Sequence, residues 1–344
     1  MNNFKLIFFA LFLLLLVIVI QFKKDLFVLF QEGQGNFTTQ VTGEQFPKTL
    51  TDVTGITYQL QQPPQQILSA TLATDHILSD LISPDRLVAV SSYADYPSLS
   101  NIVGFYDDSI SRTQGEIESM LALQPDLVFV ASYSNPETVR YLLRSGIAIV
   151  RLSEFKSFND IFNNINIVAA VTDTQKQADK IIKQVKTQIA EITLQVKDKP
   201  KPRVLYYDMN GYSVGGDSLM DEAITLSGGI NVADGVLPDG ENKISEEVAI
   251  SLQPDVIVMN QWVFNQNQGE ASPAQILKDK KAWQNVPAIK NNRVYAVPGT
   301  YLRSISQHRI KGVQAIAKLL HPDIIITKSV ISQDSAYKES TNVQ

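Results

Sequence analysis

The chain has 344 residues, of which 44% are hydrophobic and 19% charged, a globular composition long enough for two domains. The net charge of −5 comes without a basic block, so nucleic acid is not an expected partner. The absence of cysteine excludes disulfides, thiol chemistry, Cys-ligated zinc and a lipid-modified N-terminal cysteine, but leaves the compartment open.

The first residues predict a membrane interaction. Residues 6–20 are all apolar, which is short for a spanning helix and long for the core of a signal peptide. No small-residue cleavage site follows, and Lys23 and Lys24 precede a second apolar patch at residues 26–30. We therefore favour an uncleaved anchor over residues 1–25, with a cleaved signal peptide as the alternative. The lysines do not settle its orientation, because Lys5 opposes them.

The folded part begins after a polar stretch. Residues 26–47 are rich in Gly, Gln, Thr and Asn beyond their apolar start and predict a flexible tether. An alternating pattern around Gly55 then predicts a hairpin. Residues 67–70 predict the first core strand, residues 71–81 a helix, and residues 87–91 the next strand.

One stretch of the chain occurs twice, at residues 118–130 and 247–259. In each copy a short helix must end before a proline, and a short apolar run then predicts a buried strand. Two copies of one helix–strand unit predict two similar α/β lobes. The matching pairs are Glu118 with Glu247, Leu123 with Leu252, Gln124 with Gln253, Pro125 with Pro254, and Asp126 with Asp255.

Residues 173–196 form the longest periodic segment and predict a single helix. It would be about 36 Å long, enough to run along both lobes. A soluble coiled coil is the alternative. The apolar stripe consists of Ala178, Ile181, Ile182, Val185, Ile189, Ile192 and Val196.

Aromatic side chains follow the predicted strands, where open α/β sheets bind ligands. Tyrosine and tryptophan offer rigid contact area with a polar tip, and arginine offers a planar cationic fork. Such a set predicts a large, partly flat and partly anionic ligand, although each tyrosine is equally compatible with a half-buried core position. The candidates are Tyr93, Tyr96, Tyr133, Tyr212, Trp262, Tyr301 and Arg303.

The order of these motifs resembles the substrate-binding proteins of ABC importers for iron chelates and vitamin B12, over about residues 48–323. The resemblance rests on Asp52-x-x-Gly55 before a proline, Tyr93-x-x-Tyr96-Pro97, Asn101-Ile-Val-Gly104, the duplicated unit, and Gly228-Gly229-x-Asn231.

The resemblance implies two Rossmann-like α/β lobes, with central sheets flanked by helices, bridged by one long helix. The expected bounds are 48–171 and 200–325 for the lobes, 172–199 for the bridge, and 326–344 for a disordered tail. The ligand would lie in the cleft between the lobes. Glu118 and Glu247 would dock on arginines of the permease; the alternative is that they favour only the helix dipole.

Enzyme motifs are not evident. His76, His308 and His321 have no metal-ligand spacing, and there is no Gly-x-Ser-x-Gly elbow. We therefore expect no catalytic residue, no metal site and no cofactor. A lone helical histidine such as His76 is typically a packing or capping residue, although this one lies one short helix from the cleft.

The favoured hypothesis is a monomeric, membrane-tethered, extracytoplasmic (periplasmic) binding protein. It would capture a ferric chelate, a siderophore or haem, and deliver it to an ABC permease and its ATPase. A corrinoid such as cobalamin is the alternative ligand. Two other hypotheses stay open, a chelatase-like enzyme on the same two-lobed fold and an interaction module that has lost transport.

Overall fold

The computed structural model describes residues 39–261 and 273–326. The predicted anchor over residues 1–25, Trp262 and the tail beyond residue 326 lie outside this part of the chain. Among the helices within it, none combines the length and the apolarity that crossing a membrane requires.

The described chain opens with a three-stranded antiparallel meander: β1 (Gln40–Thr42), β2 (Lys48–Thr51) and β3 (Thr57–Leu60). The predicted hairpin is confirmed, and Asp52 closes its turn by accepting hydrogen bonds from the N–H groups of Thr54 and Ile56. Strand β1 lies inside the predicted tether of residues 26–47. It is fixed there because the Thr39 hydroxyl both donates to and accepts from the Arg151 backbone.

The first lobe is a five-stranded, wholly parallel sheet with helices on both faces. Its spatial order is β6-β5-β4-β7-β8. The strands are β4 (Ile67–Ser69), β5 (Leu87–Ser91), β6 (Ser111–Thr113), β7 (Leu127–Ala131) and β8 (Ala148–Leu152); the helices are α1 (Leu72–Leu81), α2 (Ile117–Ala122) and α3 (Pro136–Arg144).

Two consecutive helices follow, α4 (Phe158–Thr172) and α5 (Gln175–Val196). The first was not predicted; a capping box formed by Ser157 and Asp160 starts it, and Asp173 ends it in the left-handed region at φ 63°. The predicted long helix is confirmed as α5, two residues shorter at its start because Asp173 and Thr174 belong to the turn between the helices.

The second lobe is a four-stranded parallel sheet with a two-stranded antiparallel ribbon beside it. The sheet order is β11-β9-β13-β14, and β10 pairs with β12 in the ribbon. The strands are β9 (Arg203–Tyr206), β10 (Tyr212–Val214), β11 (Ile230–Asn231), β12 (Glu241–Lys243), β13 (Val256–Gln261) and β14 (Val294–Pro298). The helices are α6 (Leu219–Leu226), α7 (Glu246–Ser251), α8 (Pro273–Asp279), α9 (Pro287–Lys290), α10 (Gly299–Leu302) and α11 (Ile310–Leu320).

Helix α5 joins the two lobes. Its apolar stripe is buried except for the partly buried Ile182 and Ile189, and Val185 is fully enclosed. The helix packs against α1 and α4 on one side and α6 and α11 on the other. One continuous hydrophobic core therefore runs through both lobes along α5. The outer face of each sheet has its own smaller core, under α2 and α3 in the first lobe and under α7, α8 and α9 in the second.

The duplicated unit has the same construction in both lobes. Asp126 in the first copy accepts hydrogen bonds from the N–H groups of Gln65 and Gln66, at the start of the neighbouring strand β4. Asp255 in the second copy accepts from the Arg203 N–H, at the start of the neighbouring strand β9. In each lobe, the aspartate that precedes one strand of the duplicated unit is therefore hydrogen-bonded to the start of the neighbouring strand.

Candidate functional site

The carboxyl ends of the two parallel sheets meet across a cleft that contains a cavity of about 270 Å³. Ligands bind at this end of open α/β sheets. The first lobe contributes Phe155 to the cavity wall, three residues after the end of β8. The remaining lining residues belong to the second lobe: Tyr206, Val214, Ser218, Leu219, Met220, Glu241, Leu302, Arg303, Ser304, Ile305 and Arg309.

Tyr133 lies at the first-lobe wall of this cleft. It follows β7, and its ring packs on that of Phe155 with centroids 5.5 Å apart. The side chain is nonetheless 56% exposed. An exposed ring that already has one aromatic neighbour in place is suited to pack on a flat ligand.

Tyr93 and Tyr96 form a second aromatic pair beyond β5. A single 3₁₀ turn, Ser92–Asp95, places their ring centroids 5.7 Å apart. Both rings are about half exposed. Their segment reaches the second lobe at Gly299, where an added Cβ would lie only 2.9 Å from the Ser98 carbonyl oxygen. Gly299 thus permits a close approach of the two backbones.

Arg303 lies on the second-lobe wall of the cavity, one residue after α10. Its guanidinium is 3.9 Å from the Glu241 carboxylate on β12, and both side chains are partly exposed. The arginine is therefore positioned for an anionic ligand group, but Glu241 competes for its charge.

The other candidates lie outside the cavity wall. Tyr212 is on β10, under the ammonium of Lys243 at 5.6 Å from the ring centroid. Tyr301 packs on the shared core, with the ammonium of Lys311 5.9 Å from its ring centroid. Trp262 falls outside the described residues. The structure therefore places Arg303 on the cavity wall and Tyr133 against Phe155 of that wall, with Tyr93 and Tyr96 after another strand of the first sheet.

Arg309 is a buried cation beneath the cavity. Its guanidinium donates to the Leu302 carbonyl oxygen and, at 2.8 Å, to that of Leu219. Burial lowers the pKa of Arg309 to about 10, so the side chain stays charged at neutral pH. Buried positive charge at this depth adds to the attraction of the cleft for anions.

Among the hydrogen bonds that join the lobes, two sets lie on either side of the cavity. On one side the Asn101 side-chain amide donates to the Thr300 carbonyl oxygen at 2.7 Å. On the other, the Phe158 N–H donates to the Glu222 carboxylate at 2.7 Å, and Lys156 pairs with Asp217 at 2.5 Å.

Glu118 and Glu247 are exposed in the first turns of α2 and α7, two residues before the buried residue of each helix. Within residues 39–261 and 273–326, neither carboxylate has a hydrogen-bond partner. The adjacent acids are engaged internally, since Glu116 accepts from the Gln114 N–H and Glu246 accepts from Trp283. On each short helix, the predicted docking residue is therefore the carboxylate that is available to a partner protein.

Groups that bind metal ions are not clustered in the part of the chain that the structure describes. No three His, Asp or Glu side chains are placed there to hold a metal.

Of the residues that line the cavity, the sequence analysis predicts Arg303, and those that it misses include Phe155, Glu241 and Arg309. Phe155 follows β8, so the rule that selected Tyr133 would have found it. Glu241 and Arg309 had no such signal, because the ribbon that carries Glu241 and the turn that buries Arg309 depend on tertiary contacts.

Comparison with known proteins finds a family model and relatives that cover most of the chain. A family model described as periplasmic binding protein matches residues 67–301, about two thirds of the chain. An uncharacterized ABC transporter substrate-binding lipoprotein of Bacillus subtilis, YvrC, is 23% identical over 289 residues, covering 81% of this chain and 87% of that protein.

Two further similarities concern a relative and a solved structure. A cobalamin-binding protein of Halobacterium salinarum is 24% identical over 280 residues, covering 80% of this chain and 74% of that protein. The periplasmic heme-binding protein RhuT from Roseiflexus, in apo form, has the same fold with a TM-score of 0.62 and 22% identity, covering 75% of this chain and 98% of that one.

Proposed function

This chain belongs to the periplasmic binding protein family, and we propose that it captures a large metal chelate in the cleft between its lobes for an ABC importer. The observation that carries the proposal is one cavity lined both by Phe155, on which the exposed Tyr133 ring packs, and by Arg303. The site offers binding surface and charge, which suit capture without chemical turnover.

A ferric chelate, either a siderophore or haem, is the ligand class that this set of side chains favours. The tyrosines supply flat contact area, while Arg303 and the buried Arg309 supply positive charge. Glu241 reduces that charge, so a ligand of high negative charge would gain less than the two arginines alone imply.

A corrinoid is the second candidate ligand. The relative from Halobacterium salinarum is named for cobalamin, and cobalamin is large and nearly neutral. It would depend on aromatic contact from Tyr93, Tyr96 and Tyr133 more than on Arg303.

The protein would deliver its ligand to a permease through Glu118 and Glu247. Each carboxylate lies at the same point of a duplicated unit, one on each lobe, and neither has an internal partner among the described residues. A pair of matched acids separated by the cleft suits a permease that presents two matched arginines.

The chain would act outside the cytoplasm as a monomer, held to the membrane by residues 1–25. The support is the unbroken apolar run at residues 6–20 without a small-residue cleavage site. N-terminal sequencing and membrane fractionation test this proposal: an anchored protein starts at or near Met1 and sediments with membranes, whereas a start between about residues 20 and 45 would establish a cleaved signal.

Absorbance titration of the purified protein with ferric siderophores, haemin and cyanocobalamin tests the binding function. We expect one of these to bind with a spectral change and a saturable isotherm. Insertion of a metal into a porphyrin, with release of product, would instead support the chelatase-like alternative. No binding and no turnover would leave an interaction module.

A further inference from the structure

His76 on α1 is fully enclosed, and both its ring nitrogens are engaged. Nε2 accepts a hydrogen bond from the Asn101 N–H at 3.1 Å, so it carries no proton. Nδ1 lies 3.2 Å from the Ser306 hydroxyl oxygen and therefore carries the proton of the neutral ring. These contacts fix one tautomer of a neutral imidazole.

The two partners of His76 belong to opposite walls of the cleft. Asn101 ends the segment that carries Tyr93 and Tyr96. Ser306 follows Arg303 on the second lobe, three residues along the chain. The His76 ring therefore contributes to the contact between the two walls, together with Gln307, whose side-chain amide donates to the His76 carbonyl oxygen and to Asp80.

A second imidazole, His308, packs edge-on against His76 with ring centroids 5.0 Å apart. It is also fully buried, and its two ring nitrogens have no hydrogen-bond partner within the described residues. A proton on either ring would therefore be buried next to the other ring.

Among the charged and titratable neighbours of this pair, the cation Lys311 opposes protonation of the rings. Lys311 on α11 acts on both rings. Asp80 on α1 accepts from Gln307, and Asp75 on α1 faces Ser91, with the Tyr106 hydroxyl on its carbonyl oxygen. Burial and Lys311 lower the pKa of His76 to about 3, and burial, His76 and Lys311 lower that of His308.

We propose that the His76–His308 pair is an acid-sensitive latch, which holds the two walls of the cleft together only while both rings are neutral. Protonation of His76 removes the acceptor of the Asn101 N–H and introduces a buried cation beside His308. If the walls separate and water reaches the rings, their affinity for protons returns toward the ordinary histidine value of about 6.5. Each pH unit below that value then favours the open form about tenfold per histidine.

The latch would make ligand release dependent on local acidity. This inference goes beyond the proposed function, because it concerns the ligand-free protein and is tested without any ligand. Its failure would leave the capture of a chelate untouched, and a wrong ligand assignment would leave the latch untouched.

The chain has no cysteine, so two introduced cysteines can be spin-labelled selectively. Ser119→Cys on α2 and Val248→Cys on α7 are exposed, equivalent positions of the duplicated unit. Pulsed dipolar EPR of the full chain should give one distance at pH 7.5 and a second, different distance at pH 5.0. The change should reverse on return to pH 7.5, with native far-UV circular dichroism throughout.

Variants assign the effect to the latch. His76→Gln with His308→Phe keeps an acceptor near the position of Nε2 and removes both titrating rings, so it should give the pH 7.5 distance at both pH values. His321→Gln, a buried histidine outside the cleft, should respond as the wild type does. An unchanged wild-type distance at pH 5.0 would overturn the proposal. So would opening of the double variant, which would assign the response to contacts between the lobes that contain a carboxylate, such as Phe158 with Glu222 or Gln307 with Asp80.

Discussion

Gln124 and Gln253 hold the same left-handed backbone conformation, with φ of 50° and 46°, at equivalent points of the two lobes. This region is uncommon for residues other than glycine, and here it follows α2 and α7, directly before the proline that precedes the next strand. The duplication therefore extends to the backbone path. It also places Glu118 and Glu247 at matched positions on the two lobes.

Replacing both docking carboxylates should separate delivery from capture. We expect Glu118→Ala with Glu247→Ala to weaken the permease complex by about 2–5 kcal/mol, because arginines left unpaired in an interface are costly. Affinity for the ligand should stay within error, since neither side chain lines the cleft. Glu137→Ala, an exposed acid on α3, is the matched control. Wild-type uptake by the double variant would refute the docking assignment.

Arg303 and Glu241 should have opposite effects on an anionic ligand. Arg303→Ala should weaken a ferric catecholate or haem about ten- to a hundredfold, through loss of charge-assisted hydrogen bonds worth about 1.5–3 kcal/mol each. Glu241→Gln removes the competing carboxylate and should strengthen the same ligand. Isothermal titration calorimetry of the ligand with each variant measures these dissociation constants, and Arg144→Ala serves as the exposed control. Equal affinities throughout would make Arg303 an ordinary surface charge.

For a corrinoid, the affinity should depend more on Tyr96 than on Arg303. Tyr96→Ala removes half of the Tyr93–Tyr96 pair and should weaken cyanocobalamin more than Arg303→Ala does, because the ligand is nearly neutral and large. A ferric catecholate should show the opposite ranking. The two dissociation constants measured for each ligand identify which wall of the cleft dominates. If neither variant distinguishes the ligands, the aromatic wall is not part of the binding site.

The hydrogen bonds that Asp126 accepts from the start of β4 should contribute measurably to stability. Asp126→Ala leaves the N–H groups of Gln65 and Gln66 without their carboxylate. Because the site is partly exposed, we expect a loss of about 1–2 kcal/mol in the free energy of unfolding. Asp126→Asn retains one acceptor oxygen and should lose less. Urea denaturation measures the free energy of unfolding of both variants and the wild type. Equal values for all three proteins would show that these hydrogen bonds do not stabilise the fold.

Asp75 should make stability decrease with rising pH. Burial raises the pKa of this carboxyl from 3.8 to about 7, although it accepts hydrogen bonds from Ser91. Between these values the folded protein holds a proton that the unfolded chain has lost, so this group destabilises the fold by up to about 1.4 kcal/mol per pH unit gained. The difference in unfolding free energy between Asp75→Asn and wild type should therefore move in favour of the variant from pH 5 to pH 8.

The buried histidines make stability rise with pH below about 6.5. Their contribution is the same in wild type and variant, so it cancels in the difference. Asp107→Asn, whose exposed carboxyl has its pKa lowered by hydrogen bonds from Ser109, should show no trend over the same range. A flat difference for Asp75→Asn would mean that Asp75 is ionised in the folded protein.

Local sequence rules recovered most of the framework. The strand at Leu87–Ser91 was predicted residue for residue, and the duplicated unit identified one helix–strand pair in each lobe. Apolar periodicity worked there because those strands are buried on both faces. Helix α4 was missed because its asparagines are weak helix formers, and its capping box and its contacts with α5, α1 and β1 stabilise it.

The site was less accessible to sequence analysis than the fold. Tyr133 was found because the carboxyl end of β7 is a local property of the chain. Arg309 and the partners of His76 were not, because their environment is created by residues more than 200 positions away or by the burial of a turn. The domain bounds inferred from the resemblance remain predictions.

Helix α5 bears on the kinetics of capture. A rod embedded in one continuous core restricts rotation of the lobes, so at neutral pH a ligand need not wait for a large domain closure. Association should then follow a single exponential whose rate rises in proportion to ligand concentration, without the plateau that a slow closing step imposes. The association rate constant would then depend on diffusion and on the orientation of the ligand at the cleft. Selectivity among chelates would be decided by how long each one stays bound.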